Sequence, residues 1–457
     1  MSTNHSLTEN SSAQGQGQQA SSAEHLPRLR SPQTIQSMLA GTVTTSSQTN
    51  HLSTMGFDNL YTPPVGMHAI PHHLLDLRDD SQIDHDIIHA KPVSDEKNIW
   101  FFWTSGYTNM HPYTQRNVRA WHRRFSKLGW TIRVLDCENV REYLDVTDPT
   151  LFPRAFADGT ISGTYAPQHT SDLVRFPLLL RYGGVYADVG FIQIGDLDRL
   201  WNETIASPAS RFEVLSYFMG PSDQRGLTNY FLAARKDNPL FLRCHKLLLK
   251  LWEGKTSTDG MHASPLLKGV PLMGGSFKIE EEGSKIIDEE ETSKLLTDYI
   301  IQGQVVSMVM GLVDEEDGWN GPEYIRDHLY GIDFMEGSQL INVFTDWDGR
   351  KAFELMSLPL PKAGEAETPE QKQAREVVEG CLTRSFGFKL AHGLILRVFK
   401  ETLGSLWRKH EGSDIVPGTY AHMLRHAIVY WNQDALPPTL EFTNPEPIKR
   451  GPLLRDE

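Results

Sequence analysis

The sequence predicts an α/β protein whose core is a mixed, mainly parallel sheet flanked by helices, with further helical additions. Three stretches carry that expectation. Asn98 to Trp103 (NIWFFW) is an uninterrupted apolar and aromatic run, the pattern of a parallel strand buried on both faces. Val118, Trp121, Phe125 and Leu128 then recur at spacings of three and four, a helix that Pro112 can open and Gly129 can close. Thr131 to Leu135 follows as a second strand, and the three elements make a right-handed βαβ unit. Ser171 to Asp188 (SDLVRFPLLLRYGGVYAD) reads as a helix, a Gly-Gly stop and a short strand ending in a carboxylate.

In chain order, residues 1–55 are Ser, Thr, Gln, Asn and Gly with scarcely an aromatic. That composition cannot bury enough surface to offset the entropy of ordering, and it predicts a disordered polar tail. A transit peptide is the functional alternative, weakened because Arg28 and Arg30 are nearly the only basic residues there. Residues 56–95 read as a connector rich in Pro and His, 96–435 as one domain and 436–457 as a C-terminal tail. Within the domain, Phe231 to Ala234 reads as a strand and Leu240 to Trp252 as an amphipathic helix, while 361–373 (PKAGEAETPEQKQ) reads as a surface loop.

Lysine and arginine number 44 against 58 acidic residues, a formal charge of −14, which argues against a nucleic-acid partner. Cys137, Cys244 and Cys381 are odd in number and far apart, so neither a disulfide framework nor a paired-cysteine metal site is expected. No apolar stretch is long enough for a transmembrane segment, and the N-terminus lacks a hydrophobic leader core. The expectation is a cytosolic protein.

The 171–188 stretch carries the chemistry. Asp172 and Arg175 stand three residues apart on one helix face while Leu173, Phe176, Leu179 and Leu180 turn elsewhere. Pro177 lacks the N–H for the Leu173 carbonyl and is expected to kink or split the helix unless it begins late, at Ser171. Gly183 and Gly184 can take the positive φ that ends a helix, and Asp188 falls at a strand's C-terminal end, where open α/β sheets bind ligands.

SDLVRF followed by RYGGVYAD resembles the donor-site signature of glycosyltransferase family 32 and the capsular polysaccharide synthesis transferases, in texture the fungal members above all. The resemblance is specific over residues 95–200 and looser to about 435. It implies a GT-A-like nucleotide-sugar-binding fold and a retaining transferase that moves a hexose from a nucleoside-diphosphate sugar to a hydroxyl-bearing acceptor. Such an acceptor is a polysaccharide, a glycolipid or a small metabolite, as in polysaccharide biosynthesis or secondary metabolite glycosylation. The family's usual Asp-any-Asp reads Asp188-Val189-Gly190 here, so the second carboxylate is missing. A non-catalytic nucleotide-sugar-binding pseudotransferase and a sugar-nucleotide hydrolase are the competing readings.

The resemblance implies a role for each candidate residue. Asp172 and Arg175 would hold the sugar, against the plain alternative that Asp172 caps the helix and pairs with Arg175 as a surface bridge, and Asp188 would hold the sugar, the ribose or a metal. Arg175 and Arg181 would supply positive charge for the anionic donor. Ser171, Gly183, Gly184 and Tyr186 would line the nucleotide and sugar site. Trp103 would stack on the base, worth about 1–3 kcal/mol, against its plain alternative as one more core aromatic. Asp136 would hold a ribose hydroxyl or the base, or cap a turn. Mn2+ or Mg2+ binding is expected to be weak and donor-dependent through Asp188, with His392 of FKLAHG as a second metal ligand. Asp196 and Asp198 read more simply as a turn into a helix, and His422 and His426 as structural. The segment Gly418 to Trp431 is expected to close over the donor or acceptor pocket.

Overall fold

A computed structural model describes residues 60–219, 226–275, 277–281, 286–391, 393–443 and 445–454. The polar stretch 1–55 and His392 lie outside the described residues. The strands that frame the site are β1 (Asn98–Phe102), β2 (Thr131–Leu135), β3 (Gly184–Ala187), β4 (Phe191–Gln193), β5 (Val214–Met219), β6 (Gly226–Ala234), β7 (Leu329–Asp333) and β8 (Gly387–Lys389). Six of them form the central sheet in the order β7-β5-β6-β3-β1-β2, with only β6 running against its neighbours. β4 and β8 form a separate antiparallel pair that sets Phe191 opposite Lys389.

The sheet explains the apolar run that begins it. Trp100 and Phe102 face one core, and Ile99 and Phe101 the other, so no position of β1 needs to be polar for solvent. Each such burial contributes about 1.5–3 kcal/mol. The helices are α1 (Asp80–Ile88), α2 (Pro112–Phe125), α3 (Ala166–Tyr182), α4 (Pro239–Trp252), α5 (Ile301–Met310), α6 (Gly349–Ser357), α7 (Pro369–Arg384) and α8 (Tyr420–Tyr430). α2 joins the core of Ile99 and Phe101 through Trp121 and Phe125, while α3, α4 and α5 pack on Trp100 and Phe102. α6, α7 and α8 build a third core around Met356, Val377 and Leu424, the helical addition the fold class anticipates.

The helix bearing the acid-base pair differs from expectation at its start. It begins at Ala166 and remains one helix through Pro177, so Asp172 lies in its second turn and cannot be its cap. Burial of Phe176, Leu178 and Leu179 holds the helix across the missing hydrogen bond. Gly183 (φ +66°) ends it and Gly184 (φ +98°) opens β3, and a Cβ on Gly184 would stand 2.3 Å from the Asn98 carbonyl oxygen. Two outlying stretches also carry structure. Within residues 60–95, Ile83 and Ile87 of α1 are buried and Asp84 pairs with Arg119 of α2 at 2.6 Å. Past residue 435, Leu440 donates its N–H to the Gly331 carbonyl at 2.8 Å, and Lys449–Arg450 pairs in parallel with Leu312–Asp314.

Candidate active site

The chain leaves β1 outward to β2, then returns to lay β3 on the other side of β1, so strand order reverses between β1 and β3. Open α/β sheets bind ligands at the carboxyl ends of the strands flanking such a reversal. Trp103 is the first residue after β1 and Asp188 the first after β3, which puts both on that edge.

Asp188 sits in a ring of charge. Arg175 Nη2 lies 3.0 Å from its Oδ1, and Lys389 Nζ 2.5 Å from its Oδ2. Arg175 Nη1 lies 2.8 Å from Asp172 Oδ1 and donates to the Asn229 carbonyl at 2.8 Å and to Gln302 Oε1 at 3.1 Å. Gln302 Nε2 in turn donates to the Asp172 carbonyl at 2.7 Å, which ties α5 to α3. The hydroxyls of Ser171 and Tyr186 share a hydrogen bond of 2.7 Å, and the Arg175 guanidinium lies 4.9 Å over the Tyr186 ring. Burial pushes the Tyr186 hydroxyl up to about 12 against the pull of that cation. Ser171, Asp172, Arg175, Tyr186 and Asp188, all singled out by sequence, are thus one cluster.

Depth divides the cluster. The Arg175 and Asp172 side chains are 5% and 8% exposed, those of Asp188 and Lys389 26% and 17%. Asp188 and Lys389 are thus the more exposed pair, and Asp172 and Arg175 stand behind them as a buried brace. Burial pushes the Asp172 carboxyl up to about 7, opposed by Arg175 and reinforced by the nearby Asp188 charge. Arg175 is held firmly charged by its two carboxylates against the cost of its own burial. Sequence reasoning expected the sugar to meet Asp172 and Arg175 directly. Here that fork is spent on protein groups. Arg181, the other expected cation, is exposed and lies over its neighbour Tyr182.

The remaining candidates separate. Gly183 and Gly184 lie at the opposite end of β3 from Asp188, about 13 Å away at strand rise, where they serve as helix stop and strand entry. Trp103 is half-buried on the second core, its N–H bonded to the Leu135 carbonyl at 2.8 Å. Asp136 Oδ1 accepts the backbone N–H groups of Glu138 and Asn139 at 2.8 and 2.7 Å, so the turn-capping alternative is present at the end of β2. Asp196 caps the helix Leu197–Glu203, and Asp198 accepts from Trp130 and Lys97. α8 packs with the third core, and its Arg425 holds Asn117, whose amide donates to the Val189 carbonyl at 2.9 Å. The Gly418 to Trp431 segment therefore supports the turn after Asp188 through α2.

Sequence reasoning missed Lys389, Gln302 and Asn229. Lys389 is the one lysine of FKLAHG, and Gln302 is a polar residue in the mostly apolar IQGQVVSMVM, signals present but unread. Asn229 offers its backbone carbonyl to Arg175 and donates its side-chain amide to Asp172 Oδ1 at 3.3 Å, and nothing in its neighbourhood in sequence announces either contact.

Among the described residues, the donor set at Asp188 is a poor fit for a divalent ion. Both carboxylate oxygens already face cations, Gly190 has no side chain, and Asp172 lies behind Arg175. An ion bound to a carboxylate sits about 2.0–2.6 Å from its oxygen, and Lys389 Nζ holds that position at Oδ2. Among the described residues, Asp76, Asp86 and His122 do converge within metal-binding range, but Arg78 Nη2 bridges the two carboxylates at 2.6 and 2.5 Å. No helix among the described residues is long and apolar enough to cross a membrane.

A model of the family described as capsular polysaccharide synthesis protein matches residues 67–260. The chain is 32% identical over 405 residues to the O-glycosyltransferase braB of Annulohypoxylon truncatum, covering 85% of this chain and 93% of that one. It is 33% identical over 392 residues to the O-glycosyltransferase PaGT of Phomopsis amygdali, covering 84% and 94%. Among solved structures it is similar to the PaToxG glycosyltransferase at 15% identity and a TM-score of 0.24, over 38% of this chain and 67% of that one.

Proposed function

Because the chain belongs to the family of fungal glycosyltransferases that braB and PaGT represent, we propose that its donor site is the β1/β3 edge, with Asp188 at the sugar and diphosphate and Trp103 under the base. The observation that carries this reading is Asp188, set at the strand-order reversal and locked in orientation by Arg175. Arg175 and Asp172 orient it from behind, and Ser171 and Tyr186 complete the wall. The donor is a nucleoside-diphosphate hexose. The relatives' names support a hydroxyl acceptor. In the reaction the bond from the sugar anomeric carbon to the diphosphate oxygen breaks and a bond to the acceptor oxygen forms on the same face. The acceptor proton passes to the leaving phosphate. A place near glycosyltransferase family 32 belongs to the same proposal, as does action in the cytosol, supported by the unpaired Cys137, Cys244 and Cys381.

A panel of nucleotide sugars, each with and without a phenolic or alcoholic acceptor, tests the reading. Release of nucleoside diphosphate is expected only with acceptor present, and Asp188→Asn is expected to abolish it. Release without acceptor would make the protein a hydrolase, and binding without release a pseudotransferase. An Asp188→Asn variant that transfers at the wild-type rate would place the site elsewhere.

A further inference from the structure

We propose that Lys389 does the work of the divalent ion at this site, pairing with the donor diphosphate and neutralising the charge that develops on it as the sugar departs. The inference rests on the donor-site reading above. It is carried by the position of one ammonium group, 2.5 Å from Asp188 Oδ2 and on the accessible side of the cluster.

The fold fixes that position. Lys389 pairs with Phe191 across β4 and β8, the Leu390 N–H donates to the Gly190 carbonyl at 2.9 Å, and the Phe191 N–H donates to the Asp188 carbonyl at 2.8 Å. β8 is therefore stitched along the turn that carries Asp188, and its lysine projects from a rigid strand rather than from a loop. The Tyr230 ring lies 5.2 Å below the ammonium, a cation-π contact that helps hold it in place. An ammonium has three donors, so contact with Asp188 leaves others for phosphate oxygens.

Charge arithmetic agrees. Asp172 and Asp188 against Arg175 and Lys389 sum to zero when all are ionised, so the site accepts an anionic diphosphate without an uncompensated charge of its own. A divalent ion at Asp188 would have to displace Lys389 or share its place against like charge. Glycine at 190 and lysine at 389 thus belong together: the turn lacks the carboxylate that would help hold an ion, and the neighbouring strand supplies a cation built into the chain. During transfer the electron pair of the breaking anomeric C–O bond goes to the diphosphate oxygen. Lys389 stabilises that oxygen as a charged hydrogen-bond donor, the kind of preorganised group whose removal costs about 100-fold to 1,000-fold in turnover.

The test uses the full chain with UDP and GDP as binding probes and the active donor in turnover. Exhaustive chelation is expected to leave wild-type transfer within about twofold. Lys389→Met, which keeps the length and loses the charge, is expected to lower kcat about 100-fold or more and to weaken diphosphate binding about tenfold or more. Lys389→Arg is expected to recover part of both. Transfer abolished by chelation and restored by Mn2+ overturns the proposal, as does a folded Lys389→Met variant within about threefold of wild type. If Lys389→Met fails to fold, the chelation and Lys389→Arg arms decide: wild-type transfer that survives chelation, together with a folded Lys389→Arg that keeps part of the turnover and of the diphosphate affinity, supports the proposal, and a folded Lys389→Arg that keeps neither overturns it. An active Lys389→Met beside an inactive Asp188→Asn overturns this inference and spares the donor site; wild-type transfer by Asp188→Asn overturns both.

Discussion

Removing Arg175 should damage the fold before it damages anything else. Its guanidinium holds Asp172 at 2.8 Å and Asp188 at 3.0 Å with almost no solvent access. Breaking a buried ion pair by deleting one partner costs about 3–5 kcal/mol, because the other charge stays buried. Two features set where in that range Arg175→Ala falls. Asp188 keeps Lys389 at 2.5 Å and is 26% exposed, so its share of the penalty is small. Asp172 is fully enclosed, but burial already pushes its carboxyl up to about 7, and without Arg175 it rises further, so it can shed its charge by taking a proton. The folded variant then binds a proton that the unfolded chain, near an ordinary carboxylate value, releases. Stability of the variant therefore falls as pH rises, and goes on falling above pH 7, where the wild-type Asp172 is already ionised. Denaturant unfolding followed by circular dichroism should show a loss of about 3 kcal/mol or more at pH 8 and a clearly smaller loss at pH 6. Arg175→Lys, which keeps the charge but not the fork, should recover about half. A loss below about 1 kcal/mol at pH 8, or a loss independent of pH, would refute the view that Arg175 braces two buried acids.

Two further outcomes separate ligand contact from scaffolding. Trp103→Ala should weaken nucleoside diphosphate binding by about 1–3 kcal/mol in calorimetry, with Trp103→Phe keeping part of it; unchanged affinity in a folded alanine variant would return Trp103 to the core. Gly184→Ala should lower the melting temperature, since the new Cβ would meet the Asn98 carbonyl oxygen at 2.3 Å on a backbone of φ +98°. Any soluble fraction should bind nucleotide with unchanged affinity, and a selective loss of affinity would restore this glycine to the site.

Much of the frame was legible because it follows from periodicity. β1, α2 and β2 stand where apolar runs, three-four spacing and Pro and Gly punctuation put them, and Asp188 falls at its strand end. Helix α3 was harder: Pro177 argued for a late start, and tertiary burial of its neighbours overrode that local rule. The Gly-Gly pair was legible as a helix stop, and its two positive φ values are what that stop requires. For the cluster, sequence showed the residues that share one helix and one strand. Gln302 and Lys389 escaped it because their meaning comes from partners 127 and 201 residues distant, and a single polar residue in an apolar element carries no local pattern.

That separation governs when the site comes into being. Arg175 and Asp188 are 13 residues apart, whereas Lys389 follows Asp188 by 201. Closing the longer loop costs roughly 2 kcal/mol more in chain entropy. A ribosome adding about 5–20 residues per second spends roughly 10–40 s on the stretch between. Throughout that interval the nascent chain has its acids and their brace but not the lysine that closes the ring, and β4 waits without its partner strand. On the proposed role of Lys389, competence is conferred by the last quarter of the polypeptide, and a chain arrested before β8 would leave its cell's supply of activated sugar untouched.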